Sequence, residues 1–130
     1  MLNRLKNDDF WTFVGGKVSL GEDSQKAIIR EYFEETGTNI SVERLAACIE
    51  NFFVFNSKRW HEILFFYVLK DDNEELELFE GEREIKDNLD GIYKWFDLSE
   101  LEKVKIQPKC SQEIISKLNY NSFQHIINEE

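Results

Sequence analysis

Within "GGKVSLGEDSQKAIIREYFEETGTNI", residues 15–40, two glycines precede a lone Glu22, and Glu31, Glu34 and Glu35 then crowd onto one short segment. Carboxylates this close repel one another, which raises their pKa values and costs stability unless a cation neutralises them. A hard divalent cation does this well. Magnesium prefers carboxylate oxygens, keeps several of its waters and typically joins a protein to substrate phosphates. Such an ion polarises a phosphoryl oxygen and lowers the pKa of a bound water, so the cluster suits attack of water on phosphorus. Taken alone, three glutamates read more plainly as a solvated helix face, and only their surroundings can decide.

Those surroundings predict a helix. Asp23 can serve as its N-cap, Ser24 to Thr36 contains neither Pro nor Gly, and Gly37 stands where a left-handed C-cap is wanted. Three- and four-residue spacings stack Glu31, Glu34 and Glu35 on one side, with Ile28, Ile29, Tyr32 and Phe33 covering another. Upstream, the aromatic "FWTFV" from Phe10 to Val14 reads as a short strand entering a turn at Gly15 and Gly16. Downstream lie three strand candidates, Arg44–Phe55, His61–Leu69 and Gly91–Leu98, the first two joined as a hairpin through the polar Asn56–Arg59. The acidic Asp71–Asp90 reads as a solvated loop with one edge strand. Cys110–Asn128 has apolar residues at helical spacing and predicts a C-terminal helix.

Gly16, Glu22, Arg30, Glu31, Glu34, Glu35 and Gly37 together spell Gly, five residues, Glu, seven residues, Arg-Glu, two residues, Glu-Glu, one residue, Gly. This resembles the signature of the Nudix hydrolase family, with every fixed position filled. "FWTFVGGK" and "YKWFDLSEL" are similar to the strands that flank the signature in many members, so the likeness extends from Phe10 to Leu101. The resemblance implies an α/β fold, an α/β/α sandwich around a mixed sheet. It further implies hydrolysis of the pyrophosphate bond in a nucleoside diphosphate linked to another moiety, with Mg²⁺ or Mn²⁺. Carried over by position, Glu31, Glu34 and Glu35 would ligate the metal, and the Gly15 carbonyl would add a further ligand. Glu34, then Glu31, are the candidates to orient or deprotonate the attacking water. Arg30 and Glu22 would pair and hold the loop on the helix, with Gly16 and Gly37 supporting the turns.

The chain departs from the family pattern in several places. Val14 replaces the usual Pro, and Tyr32 and Thr38 stand where small aliphatics are common. Only "MLNRLKNDD" precedes Phe10, where members ordinarily place one or more strands, so the sheet is expected to lack an N-terminal strand. A bare strand edge would invite association and makes a homodimer one way to cover it. An upstream segment of a longer chain would cover it as well, whereas a decayed domain would leave it open. Around the substrate, Trp60 and Phe53 are candidates to stack on a base, His61 to donate to phosphate, and Asp90, with Glu62, to add a further acidic contact to the metal. Each has a plainer reading beside it: strand core for the rings, a partly exposed polar residue for His61, a solvated acid for Asp90.

A chain of 130 residues fits one domain, spanning 1–130. Its formal charge of −10 excludes broad affinity for nucleic acid or anionic lipid, so the expected partner is a small-molecule nucleotide reached through a cation. Cys48 and Cys110 lie in no metal-like spacing and nothing resembles a signal peptide, which suggests reduced thiols in a cytoplasmic protein. The longest apolar stretch, Ile63 to Leu69, is too short to cross a bilayer. Two further function classes compete. A non-catalytic nucleotide-binding module would account for a short N-terminus but has no need of three glutamates. An isomerase of isoprenoid diphosphates would want a Cys and a Glu around the pocket, and nothing near Cys48 recommends it. An oxidised nucleotide, ADP-ribose, a nucleotide sugar, a dinucleoside polyphosphate and a capped RNA all remain open as substrates.

Overall fold

A computed structural model describes residues 1–72, 78–118 and 122–129. In chain order the elements are β1 (Leu2–Leu5), β2 (Thr12–Phe13), α1 (Ser24–Thr36), β3 (Ser41–Phe55), β4 (Lys58–Lys70), β5 (Glu82–Ile85) and β6 (Asn88–Lys94). A 3₁₀ helix (Leu98–Lys103), α2 (Ser111–Ser116) and β7 (Gln124–Glu129) follow. The strands form two sheets. One is antiparallel with order β2-β1-β6-β5, and the other is mixed with order β4-β3-β7, β7 running parallel to β3.

The long β3–β4 hairpin turns through Asn56 and Ser57, whose φ values of 49° and 61° are those of a two-residue turn matched to strand twist. Alternation then sets its faces. Ala47 and Ile49 point inward against Ile114 of α2, with Leu64, Phe66 and Ile126 packed around them. A second core joins Leu2 to Leu101 and Ile106, flanked by Trp11, Phe13 and Phe96. Phe13 meets Phe66 edge-on at 4.2 Å, so an aromatic contact links the two sheets.

Two sequence expectations are corrected. The antiparallel sheet does not lack an N-terminal strand: Leu2–Leu5 lies between β2 and β6, pairing Leu2 with Phe13 and with Lys94. Leu2, 2% exposed, anchors it in the core. The edge that made a homodimer attractive is therefore filled. The C-terminal helix is also much shorter than expected. Among the described residues of this segment only Ser111–Ser116 is α-helical, and Gln124–Glu129 instead pairs with Ala47–Phe52. Ile126 reaches the inner core while Ile127 turns outward, the two-residue period of a strand. Within the acidic stretch, β5 is the edge strand that was anticipated, and the expectation for residues 73–77 lies outside the described residues.

Candidate active site

Helix α1 carries the acidic cluster and is fixed at both ends. Asp23 accepts from the Lys26 N–H at 2.8 Å, and Gly37, at φ 75°, donates its N–H to the Phe33 carbonyl at 2.7 Å. The Lys86 N–H, in the β5–β6 turn, donates to the Glu35 carbonyl at 3.0 Å and ties the helix end to the antiparallel sheet. Near the other end, the Ser24 and Tyr67 hydroxyls lie 2.7 Å apart, which holds α1 to β4.

The glycine loop closes over the helix. Gly15 lies beside Ile28, and a Cβ on Gly16 would overlap the Glu31 carboxylate, so only glycine leaves that carboxylate its place. Arg30 clamps the arrangement. Its Nη2 and Nε donate to the two Glu22 oxygens at 2.6 and 3.1 Å, and Nη2 also reaches the Lys17 carbonyl at 3.1 Å. Its Nη1 donates to Glu31 at 2.9 Å and to Glu34 at 3.2 Å. Arg30 therefore makes the expected pairing with Glu22 and, at the same time, a pairing with Glu34 four residues on. The Arg30 hydrogen bonds hold the Glu22 carboxyl down at about 2, with the Ser19 N–H assisting. The same carboxylates push the Arg30 guanidinium up.

Glu35 is the buried member, 8% exposed. Desolvation drives its carboxyl from 4.5 up to about 7, against a hydrogen bond from Asn3 Nδ2 at 3.0 Å that favours the charge. Asp87, Glu31 and Glu34 add like charge and raise it further. Glu35, Asn3, Thr12, Arg4 and Asp87 line a cavity of about 320 Å³.

The donors are hard oxygens of the kind Mg²⁺ and Mn²⁺ take, and the loop comes close enough to the helix to contribute backbone. In chemistry the set fits such an ion. Among the described residues, however, no three carboxylate, His or Cys side chains are already gathered around one point. Arg30 Nη1 occupies the space between Glu31 and Glu34 and offsets their repulsion.

The side chains expected to meet substrate fall elsewhere. Phe53 and Trp60 stack on each other, rings 6.2 Å apart, towards the outer end of the β3–β4 hairpin. His61 lies flat against Phe52 at 4.1 Å, and Glu62 accepts from Asn51 at 2.9 Å. Asp90 is exposed on β6, its carbonyl bonded to the Lys6 N–H. None of the five lines the cavity beside Glu35. That wall is instead built partly by β1 and the β5–β6 turn, and sequence reasoning missed Asn3, Arg4, Thr12 and Asp87. The one signal available was the position of Thr12 on the strand leading into the glycines.

The description "NUDIX domain" fits residues 1–118. No curated protein matches the sequence. Among solved structures, one titled as a UDP-X diphosphatase is similar in fold, with a TM-score of 0.58 and 22% identity over 96% of this chain. This chain spans 59% of that protein's length. With the family description spanning almost the whole chain and the signature laid out on a capped helix beneath its glycine loop, the chain belongs to the Nudix family.

Proposed function

We propose that the chain hydrolyses the pyrophosphate bond of a nucleoside diphosphate linked to another moiety. The observation that carries this reading is the arrangement at α1: Glu31 seated under Gly16, Glu35 buried beside it, and Arg30 bridging Glu22 to the cluster. Glu31, Glu34 and Glu35, with the Gly15 carbonyl, would hold Mg²⁺ or Mn²⁺. The ion would supply charge neutralisation at the phosphates and a more acidic bound water. The residues do the rest. Arg30 and Glu22 keep the loop on the helix, Gly16 keeps room for Glu31, and Glu34, with Glu31 as second candidate, accepts the proton of the attacking water. Glu34 is exposed and so can exchange that proton with solvent.

The substrate class follows the family and agrees with the diphosphatase whose fold is similar; the moiety beyond the diphosphate is left open. The ground for a decayed, non-catalytic domain was a missing strand, and β1 removes it. Among the described residues no helix is long and apolar enough to cross a membrane. Cys48 and Cys110 are not joined in a disulfide, which fits a cytoplasmic setting. The test is Mg²⁺-dependent release of phosphate or nucleoside monophosphate from a panel of nucleoside diphosphate derivatives. Wild type should turn over at least one, and Glu34→Gln and Glu35→Gln should each lose at least about a hundredfold in rate with the fold intact. Near-normal turnover in either variant removes that residue from the site.

A further inference from the structure

We infer that Asn3 and Thr12 form a positioning relay that sets the orientation of the Glu35 carboxylate. The inference rests on the hydrolase reading above and concerns residues outside the signature segment. β1 and β2 place Asn3 and Thr12 directly opposite each other in the antiparallel register. Strand alternation sends their side chains to one face while Leu2 takes the other, into the core with Leu101 and Ile106. Asn3 therefore faces α1, where its Nδ2 donates to Glu35 Oε2 at 3.0 Å.

An amide presents a donor at one end and an acceptor at the other, and only one end suits a carboxylate. The ionised Glu35 carboxylate decides which, because it can only accept and so takes Nδ2. Oδ1 is left facing Thr12, whose Oγ1 lies 2.7 Å away, against 3.5 Å from the Asn3 carbonyl. A hydroxyl could serve either end of the amide; here it donates to Oδ1 and pins the orientation that the carboxylate selects. A reversed amide would bring its oxygen against the carboxylate, acceptor against acceptor. Through the relay, one Glu35 oxygen is committed to Asn3 and the other is left for an incoming cation.

All three side chains line the same cavity, so the relay forms part of the site's wall and is not a remote staple. Its members come from strands brought to the helix only by the tertiary fold, 32 residues separating Asn3 from Glu35. Partners that orient a ligating side chain in this way typically change metal affinity or activity by about 10–100-fold when removed.

The probe is Mn²⁺ alone, titrated into wild type, Asn3→Ala, Thr12→Val, Thr12→Ser and Glu35→Gln. Free ion is followed by electron paramagnetic resonance, with melting temperature recorded for each protein. Asn3→Ala should weaken Mn²⁺ binding by roughly 10–100-fold. Thr12→Val keeps the branched shape without the hydroxyl and should weaken it by a smaller factor, whereas Thr12→Ser should restore near-normal binding. With a substrate in hand, kcat should fall in Asn3→Ala while KM changes by less than about threefold, the pattern of a misplaced group rather than lost substrate contact. If Asn3→Ala folds poorly, Thr12→Val carries the comparison. Normal Mn²⁺ binding in Asn3→Ala and Thr12→Val, beside a loss in Glu35→Gln, overturns the relay and leaves the hydrolase reading standing. An equal loss in Thr12→Ser and Thr12→Val assigns Thr12 to packing and overturns it too. Mn²⁺ binding that ignores Glu35→Gln overturns both readings.

Discussion

Glu35→Gln, usually a test of catalysis, should stabilise the metal-free protein at alkaline pH. The Glu35 carboxyl sits at about 7 in the fold against 4.5 in the unfolded chain, chiefly through desolvation. Between those values the native state keeps a proton that the unfolded chain has lost. Stability from this group is therefore fully present below 4.5 and is lost as pH rises through about 7. Between about pH 5.5 and pH 8 the linkage amounts to on the order of 2 kcal/mol, reduced towards 1 by solvent screening. For a chain of this size that is a melting-temperature change of roughly 3–8 °C. Glutamine carries no charge at any pH, and its amide oxygen can still accept from Asn3 Nδ2. With chelator present, thermal denaturation followed by circular dichroism should find the variant more stable than wild type at pH 8, the gap shrinking by about pH 5.5. Parallel curves across that range, or a less stable variant at pH 8, would refute the assignment of a strained charge to Glu35.

Added metal should reverse that order. Millimolar Mg²⁺ or Mn²⁺ should raise the wild-type melting temperature at pH 8 by mass action and do little for Glu35→Gln, while equal shifts would locate the ion elsewhere. Gly16→Ala should cost at least about tenfold in activity by displacing the Glu31 carboxylate, with little loss of secondary structure by circular dichroism, and an active variant would show that the loop can retreat.

What could be read in advance was local. The caps of α1, the signature spacing and the hairpin turn at Asn56 are each written within a few neighbouring residues, where chain geometry alone fixes the outcome. β1 could not be read this way. Its middle residues are polar and spent on hydrogen bonds and a ring contact, Asn3 on the distant Glu35 and Arg4 on the nearby Lys6 and Asp8 carbonyls and the Trp11 ring, so no alternation of apolar side chains announces a strand. The C-terminal segment failed for the opposite reason. Ile114, Ile115, Leu118, Ile126 and Ile127 satisfy helical spacing, and only the offered edge of β3 makes the last six described residues a strand. Within the site, the sequence identified the carboxylates but not their neighbours, because Asn3, Thr12 and Asp87 reach Glu35 through tertiary structure.

The position of β1 also bears on the order in which the molecule assembles. The β3–β4 hairpin joins neighbours in sequence through a two-residue turn and can form early, on a microsecond scale. β1 must wait, because Leu2–Leu5 pairs with Gly91–Lys94 across most of the chain, and closing so long a loop is slow. During synthesis β1 leaves the ribosome before β3 and β4 yet is placed after them. Until it is placed, Glu35 has no Asn3 beside it, so a partly folded chain would carry the whole signature segment without a finished site.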